Sequence, residues 1–496
     1  MAIKGVFFAK KYIHGYKILN IFSLAALALS AVFCLTGCRD YKAPTPPYEQ
    51  WQPAAKPSKT PTPDKVWQGI RGRVPDGKGP FSLAGLLDTA FYNSPITSKS
   101  WHDIKSKRAL LGQAKSGLMP RVSVSAEGAR EKSVPNTASG KENQLKYGPS
   151  GKAELLLFDF GGRNASIEAA YQDMLSAGYA FNQSLQDLIL DVQKSYYGLF
   201  SAYSTLQSAE SNLVDANKGF EAADLKFQTG IASKLDKLQA EASRDRSLYE
   251  LEDAKGRLKQ AKAELAIAVG FSADTDFDIT APAQEASFKM QESDIKEMID
   301  EALSCRPDIA SARALVNEKK ARIKQASSAL FPEINAGGAY GHDWYKYYNE
   351  KPARDNGYSY SGYLSVNWDI FDGFYNFNKK LQAEAEFGAQ TDKLIRLELE
   401  ASADVWKKYF NYNTAVKKLE YGKAYLDSST ASHELALEGY SHGIRSMLDL
   451  LQAQSELSNA RARYVDSQRQ AFVAIAELAH ATGSLKAGTP PEKEAP

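Results

Sequence analysis

From Ile167 onward, apolar or small residues recur at 170, 174, 177, 181, 185, 188, 192 and so on to 227, about 3.5 residues per step. That is the heptad spacing of a left-handed coiled coil, and many of the seam positions are Ala, which lets neighbouring helices approach closely. The pattern predicts one helix from Arg163 to Thr229 and a second of equal length from about Asn376 to His442. Each would be roughly 100 Å long at 1.5 Å per residue. Heptads alone fit a spacer or a cytoskeletal rod equally well. A second pattern has period two. Tyr358, Tyr360, Gly362, Leu364, Val366, Trp368 and Ile370 fall on one face, with Ser359, Ser361, Tyr363, Ser365, Asn367 and Asp369 on the other. Val122, Val124 and Ala126 alternate with Ser123, Ser125 and Glu127; Ala153, Leu155 and Leu157 with Lys152, Glu154 and Leu156; Ile334, Ala336, Gly338 and Tyr340 with Glu333, Asn335 and Gly337. An apolar, aromatic-bearing face opposite a polar one is what a strand between lipid and water needs. These strands, of about 9–14 residues, are long enough to cross a bilayer when tilted. Ordinary sandwiches also use amphipathic strands. Four strands, however, cannot close a membrane barrel, and an open edge in lipid leaves backbone groups unpaired at several kcal/mol each. Identical copies must therefore pool their strands, two giving eight and three giving twelve.

The pattern is written twice. Ala90 to Pro95 matches Ala302 to Pro307, and Leu118-Met119-Pro120 matches Leu330-Phe331-Pro332, both at a spacing of 212. Leu157-Phe158-Asp159 matches Ile370-Phe371-Asp372, and Gly230 to Asp236 matches Gly443 to Asp449, at 213. So long a period makes each copy a whole structural half. The organisation expected is a leader at 1–37, an N-terminal tether at 38–81, a first repeat at 82–281, a linker at 282–293, a second repeat at 294–483 and a tail at 484–496. Residues 150–281 and 353–489 carry no proline, leaving room for long helices. Pro120 and Pro332 turn helix into strand, and Gly161-Gly162 and Gly373 free the backbone for the turn back into helix. Arg130–Pro149 and His342–Gly357 are expected as long polar loops on the cell exterior. The fold class is mainly α with a small β part, internally duplicated, with four transmembrane strands per chain contributing to an oligomeric barrel above a long coiled-coil tunnel.

Charge and composition narrow the chemistry. With 61 basic and 59 acidic residues the formal charge is +2, without the electropositive excess of a nucleic-acid binder. The 3 Cys and 6 His exclude a disulfide scaffold and a multi-zinc protein. Lys4, Lys10, Lys11 and Lys17 precede an apolar run from Ile18 to Gly37, the order of a secretory signal. The run ends Leu35-Thr36-Gly37-Cys38, which resembles the bacterial lipobox: cleavage before Cys38, then a diacylglycerol and an N-acyl chain on that residue. An uncleaved membrane anchor is the alternative. Arg39 stands where lipoproteins held at the inner membrane tend to carry Asp, which by the same resemblance leaves the outer membrane open. Pro44, Pro46, Pro47, Pro53, Pro57, Pro61 and Pro63 make the following segment extended. Cys305 would be the one cysteine left besides Cys38 and is expected to be buried. His433 and His442 are expected at the surface.

Leu-Phe-Asp-x-Gly-Gly-Arg at 157–163, Asn93-Ser94-Pro95, the helix-ending prolines and the Gly-x-x-Ser-x-Leu-Asp turns resemble the TolC-like outer-membrane efflux proteins, over about residues 82–483. The opening Cys38 to Pro44 resembles the lipidated branch that serves pumps of the RND type. Phe371-Asp372-Gly373-Phe374 departs from the pattern, lacking the second Gly and the Arg. The resemblance implies a homotrimer, a twelve-stranded barrel in the outer membrane and a tunnel across the periplasm, completed by a periplasmic adaptor and an inner-membrane pump. It places the turns Gly230-Ile231-Ala232-Ser233 and Gly443-Ile444-Arg445-Ser446 at the far tip, where they would dock the adaptor. It also matches Arg445 and Asp449 to positions that close the tunnel mouth, with Gln452 where the family carries an acid and Asp236 as the first-copy counterpart of Asp449. Local chemistry explains the same turns more simply: Gly ends one helix, and Ser233/Asp236 and Ser446/Asp449 cap the next. No metalloprotease, phosphate-loop or nucleophile-elbow motif is present, so the expectation is a passive conduit without cofactor, not an enzyme. Two other readings stay open: the same architecture serving protein secretion with an ABC exporter, and a non-conducting lipoprotein spacer.

Overall fold

In the computed structural model, residues 80–132, 143–275, 277–282, 295–348 and 354–485 are described. The leader, Cys38, nearly all of the tether, the linker at 283–293 and the tail from 486 lie outside them. The first half runs α1 (Leu83–Asn93), α2 (Pro95–Ser116), β1 (Arg121–Lys132), β2 (Asn143–Phe158), α3 (Gly162–Gln228) and α4 (Lys234–Val269). The second repeats that order as α5 (Ile295–Cys305), α6 (Pro307–Ser328), β3 (Glu333–Tyr347), β4 (Arg354–Asn367), α7 (Tyr375–Ser441) and α8 (Met447–Ala481). Among the described residues, no helix is long and apolar enough to cross a membrane.

The helices interlock through small residues. Along α4 the buried positions Ala240, Ser247, Ala254 and Ala261 come one per heptad until Leu265, Ala266 and Val269 close its end, and on α8 Ala460, Ser467, Ala474 and Ala481 keep the same spacing. α3 and α7 are 67 residues each. α3 packs against α2, α4, α6 and α8, while α7 packs against α5, α6 and α8, so α6 and α8 knit the two halves together. Larger side chains fill the level where the short helices dock: Leu86, Phe91, Ile104, Phe181 and Ile309 are fully buried, and Trp101 lies against Phe181 at 5.8 Å. Phe81 closes this level by bridging to Ile279, with its N–H donating to the Asp278 carbonyl at 2.8 Å.

Pro95 and Pro307 occupy first turns, where their missing N–H costs nothing. Each strand pair begins directly after Pro120 or Pro332 and forms one antiparallel sheet in the order β1-β2-β3-β4. The hairpins are longer than their amphipathic pattern. β1 pairs with β2 from Arg121↔Glu154 to Lys132↔Asn143, and β3 with β4 from Glu333↔Asn367 to Lys346↔Arg354. Most of the segments expected as loops, Arg130–Pro149 and His342–Gly357, is therefore strand. The apolar alternation stops before the pairing does, because backbone hydrogen bonds across the ladder do not depend on side-chain polarity. At the other end β4 stops at Asn367, short of the expected Phe371, and the indole N–H of Trp368 donates to the Leu330 carbonyl at 3.1 Å.

The return from strand to helix needs two consecutive left-handed residues. They are Phe160 (φ 49°) and Gly161 (φ 90°) in the first copy, Gly373 (φ 69°) and Phe374 (φ 67°) in the second. One of each pair is Gly, and which one has swapped, so the second copy keeps the turn without a second Gly. Asp159 and Asp372 fix it alike, accepting from the N–H of Arg163 at 2.6 Å and of Asn376 at 2.9 Å.

Two further expectations fail. Cys305 is exposed, because the end of α5 presses its backbone, not its side chain, against Gly483: a Cβ at Gly483 would lie 3.1 Å from the Cys305 carbonyl carbon. His433 is buried in the α7 seam, only 4% exposed, one heptad before Tyr440, whereas His442 is exposed just past the helix end.

Candidate functional site

Two regions carry functional geometry, the tip where the long helices turn and the sheet. At the tip both turns fold identically. Ile231 and Ala232 donate their N–H groups to the Lys226 carbonyl at 2.8 and 3.0 Å; Ile444 and Arg445 donate to the Gly439 carbonyl at 2.8 and 3.1 Å. Gly230 (φ 76°) and Gly443 (φ 79°) supply the left-handed residue. Ser233 and Ser446 then cap α4 and α8 through complete capping boxes. The N–H and hydroxyl of Ser446 donate to Asp449 Oδ2 at 3.0 and 2.8 Å, and Asp449 N–H donates back to Ser446 Oγ at 3.2 Å. Those bonds from Ser446, helped by nearby Arg445, hold the Asp449 carboxyl below the usual carboxylate range. Asp236 makes the same box with Ser233 at 3.0–3.2 Å.

The four aperture candidates divide. Arg445, Asp449 and Gln452 line one open groove of about 850 Å³ between the ends of α7 and α8, together with Glu438 and Glu456. Asp236 belongs to the other turn, close enough to Tyr440 to act on its phenol. Ile231 and Ile444 are 75% and 80% exposed, and Leu235 and Leu448 stand out beside them, so the tip presents apolar side chains to solvent.

The two hairpins are buttressed by residues that the turn motif alone does not single out. The Lys226 ammonium donates to the Tyr440 carbonyl and lies 4.3 Å from that ring's centroid. Arg461 donates to Asn212 Oδ1 and Asp215 Oδ2 at 2.6 and 2.9 Å, tying α8 to α3. Glu456 accepts from the Tyr425 hydroxyl at 2.5 Å across the groove. The heptad pattern carries no mark of this set, because Asp215 falls between the seam positions 213 and 216 and is only part-buried.

The sheet sorts its faces by register. Cross-strand rows Val122–Ala153–Gly338–Gly362 and Val124–Gly151–Tyr340–Tyr360 lie on one face. The opposite face carries Ser125 and Ser150, whose hydroxyls are 3.0 Å apart, and Glu154, which accepts from Tyr363 at 2.7 Å. Val124, Tyr360, Leu364 and Val366 are all more than 60% exposed. β1 and β4 each pair on one side only. Arg163 locks the sheet onto the helices, its guanidinium donating to the carbonyls of Gly117, Leu156 and Leu157 at 3.2, 2.5 and 2.9 Å.

An amphipathic sheet with two open edges, standing on paired 67-residue helices, defines a subunit of an oligomeric membrane duct. The chain belongs to the outer membrane efflux protein family, whose model matches residues 86–271 and 298–484. It is 26% identical to protein CyaE of Bordetella pertussis over 82% of this chain and 85% of that one. It is 24% identical to the outer membrane protein OprJ of Pseudomonas aeruginosa over 81% and 84%. Among solved structures, the outer-membrane channel OprN superposes with a TM-score of 0.72 at 19% identity, covering 82% of this chain and 91% of that one. The Campylobacter jejuni CmeC outer membrane channel gives 0.71 at 17% identity, covering 88% and 96%. The fold is thus that of outer-membrane channels in which several chains complete a barrel above a helical tunnel.

Proposed function

We propose that this chain forms, as a homotrimer, the outer-membrane duct of a tripartite efflux system, passing substrates delivered by a periplasmic adaptor and an RND-type inner-membrane pump. The observation that carries the reading is the open four-stranded sheet with a lipid-type face, since three copies supply the twelve strands of a closed barrel. Relatives described as an antibiotic efflux pump outer membrane protein (ArpC) and a solvent efflux pump outer membrane protein (SrpC), both from Pseudomonas putida, support it. Exposed Ile231, Leu235, Ile444 and Leu448 suit docking by an adaptor's helical hairpin. In this proposal Cys38 carries the lipid anchor and is found diacylated and N-acylated at the mature N-terminus by mass spectrometry.

At the mouth, Arg445 and Asp449 with Gln452 restrict the aperture of the closed state, and three Asp449 carboxylates favour cations there. Asp449 also caps α8, so loss of charge and loss of cap must be separated. The test is conductance of the purified oligomer in planar bilayers. Asp449→Ala is expected to raise it, while Asp236→Ala, which deletes the same cap in the other turn, leaves it unchanged. An equal rise in both would make helix fraying the cause; no current from the wild-type oligomer would make the protein a spacer. Recovery of an ABC exporter's adaptor, in place of an RND partner, in a cross-linked pull-down would move the duct to protein secretion.

A further inference from the structure

The two longest helices are equal in length and unequal in cover. α3 packs against α2 and α4 of its own half and against α6 and α8 of the other. Its counterpart α7 packs against α5, α6 and α8. Among the described residues, no helix packs on α7 as α6 and α8 pack on α3, and α4 lies against α3 instead. The uncovered side of α7 is apolar: Ile395, Leu399, Trp406, Phe410 and Tyr421 are 46–69% exposed and fall on one side of the helix at 3.6 residues per turn. Position 186 of α3, matched to Leu399, holds Gln186 and is 2% exposed. A stripe of this extent is more than the scattered apolar residues of an ordinary surface.

The duplication says what would fit there. On α3 the pairs made with α8 are Gln186 with the Gly483 carbonyl at 3.0 Å, Asp187 with His480 at 2.8 Å and Lys194 with Glu477 at 2.8 Å. Tyr197 stacks on Phe472 at 4.8 Å. Moved by the 213-residue repeat onto α7 and α4, these become Leu399 with Gly270, Glu400 with Ile267, Lys407 with Glu264 and Phe410 with Lys259. The chemistry stays complementary. Leu399 comes beside Ile267, itself 67% exposed on α4. Lys407 and Glu264, both exposed, keep the residue types of Lys194 and Glu477. Phe410 would meet an ammonium in place of a second ring. The sheet makes the same step: β2 of the first half pairs with β3 of the second, which leaves β4 and β1 as the matching open edges.

We propose that α2 and α4 of a second copy of this chain cover the open side of α7, in the register that α6 and α8 hold on α3, with Lys407 ion-paired to Glu264 of the second copy. The contact joins two different surfaces of identical chains, so it repeats from copy to copy until a ring closes. The inference rests on the homotrimer reading above and adds the side-chain register by which one copy recognises the next.

The test is cross-linking of the full-length oligomer, with Cys305→Ser removing the exposed thiol first. In that background Glu400→Cys/Ile267→Cys, treated with a short bismaleimide, should give covalent dimers and trimers on a boiled denaturing gel. The yield should be at least tenfold above that of Glu400→Cys/Tyr249→Cys, since exposed Tyr249 stands about 27 Å from Ile267 along α4 at 1.5 Å per residue. Adducts confined to single chains, or equal yields from the two pairs, overturn the register and leave the trimer standing. The ion pair has its own readout: Lys407→Glu should lower the dissociation temperature of the oligomer, and Lys407→Glu/Glu264→Lys should regain at least half of the loss. No recovery in the exchanged variant overturns the pairing. Failure of the wild-type chain to form a heat-modifiable oligomer in any bilayer would remove the trimer and this seam with it.

Discussion

Single side chains explain how two copies of one turn stay superposable while their sequences drift. In the first copy a large residue, Lys226, sits where the helix ends and a small one, Ala232, where the turn leaves. In the second, Gly439 and Arg445 exchange those sizes at the same two positions. The exchange is enforced by space, because a Cβ on Gly439 would come within 2.7 Å of Arg445 Cγ. Gly439→Ala is therefore expected to cost about 1–2 kcal/mol, the usual penalty for an extra methyl in a filled site. Gly439→Ala/Arg445→Ala should recover that loss and gain a few tenths from helix propensity. The measurement is a double-mutant cycle on the dissociation temperature of the oligomer; additive losses would show that the contact is not sensed.

Between elements, the joints carry the charge. Arg163 reaches the end of α2 and the end of β2 together from the start of α3. Arg163→Ala should weaken this joint by about 2 kcal/mol, the usual worth of hydrogen bonds to a charged group. Local opening next to Pro120 would then be about thirtyfold more frequent, read as faster tryptic cleavage at Arg121. Lys at 163 should not rescue it, since one ammonium cannot reach three carbonyls. A different joint sits where the helical halves meet, with Glu477 of α8 accepting from Lys194 of α3 and Lys408 of α7 at 2.8 Å each. Burial pushes the Glu477 carboxyl up, but the two ammonium groups outweigh it, and the net direction is down. A carboxyl lowered by folding stabilises fully above its unfolded value of about 4.3 and loses that stabilisation as pH falls through the folded value. Glu477→Gln should thus cost about 1–2 kcal/mol at neutral pH, the figure reduced because Lys194 is partly solvated. The gap from wild type should close in a melt series taken below pH 4; a gap that persists in acid would assign the loss to packing.

How much of this was legible depended on the range of the cause. The heptads of α3, the start of β1 after Pro120 and the two caps are local, and their residues announce them. The outer ends of the hairpins were not legible as strand, because Arg130 to Lys132 and Asn143 to Pro149 lose the apolar alternation while keeping their partners across the sheet. His433 and Cys305 were misplaced for a related reason: burial of the first is set by its phase on a seam shared with α3 and α8, and exposure of the second by a glycine far along the chain, Gly483. Arg445, Asp449 and Gln452 were legible as a group only through the family resemblance of their turn, whereas the Lys226–Tyr440 buttress joins residues 214 apart and leaves no local mark.

For the molecule as a whole, the decisive quantity is what each face of the sheet is made to touch. Val124 and Ser123 are neighbours on the edge strand β1, both exposed, and differ only in the side to which they point. Val124 shares its row with Tyr340 and Tyr360 near the middle of the apolar band. Arg at that level on the lipid side costs about 2–4 kcal/mol in a membrane barrel, and a trimer would incur it three times. Arg at Ser123 would meet water and the hydroxyl-lined inner wall and cost little. Val124→Arg is therefore expected to remove most of the heat-modifiable oligomer from the outer membrane, while Ser123→Arg leaves its amount near wild type and changes only the ion selectivity of the conductance. The asymmetry separates a barrel wall from an ordinary sandwich: packed against protein on the Val124 face, the sheet would still lose with Val124→Arg, but Ser123→Arg would open no difference in selectivity. If the two variants exchanged behaviour, the apolar face would line the interior and the closure of four strands into twelve would have to be rebuilt inside out.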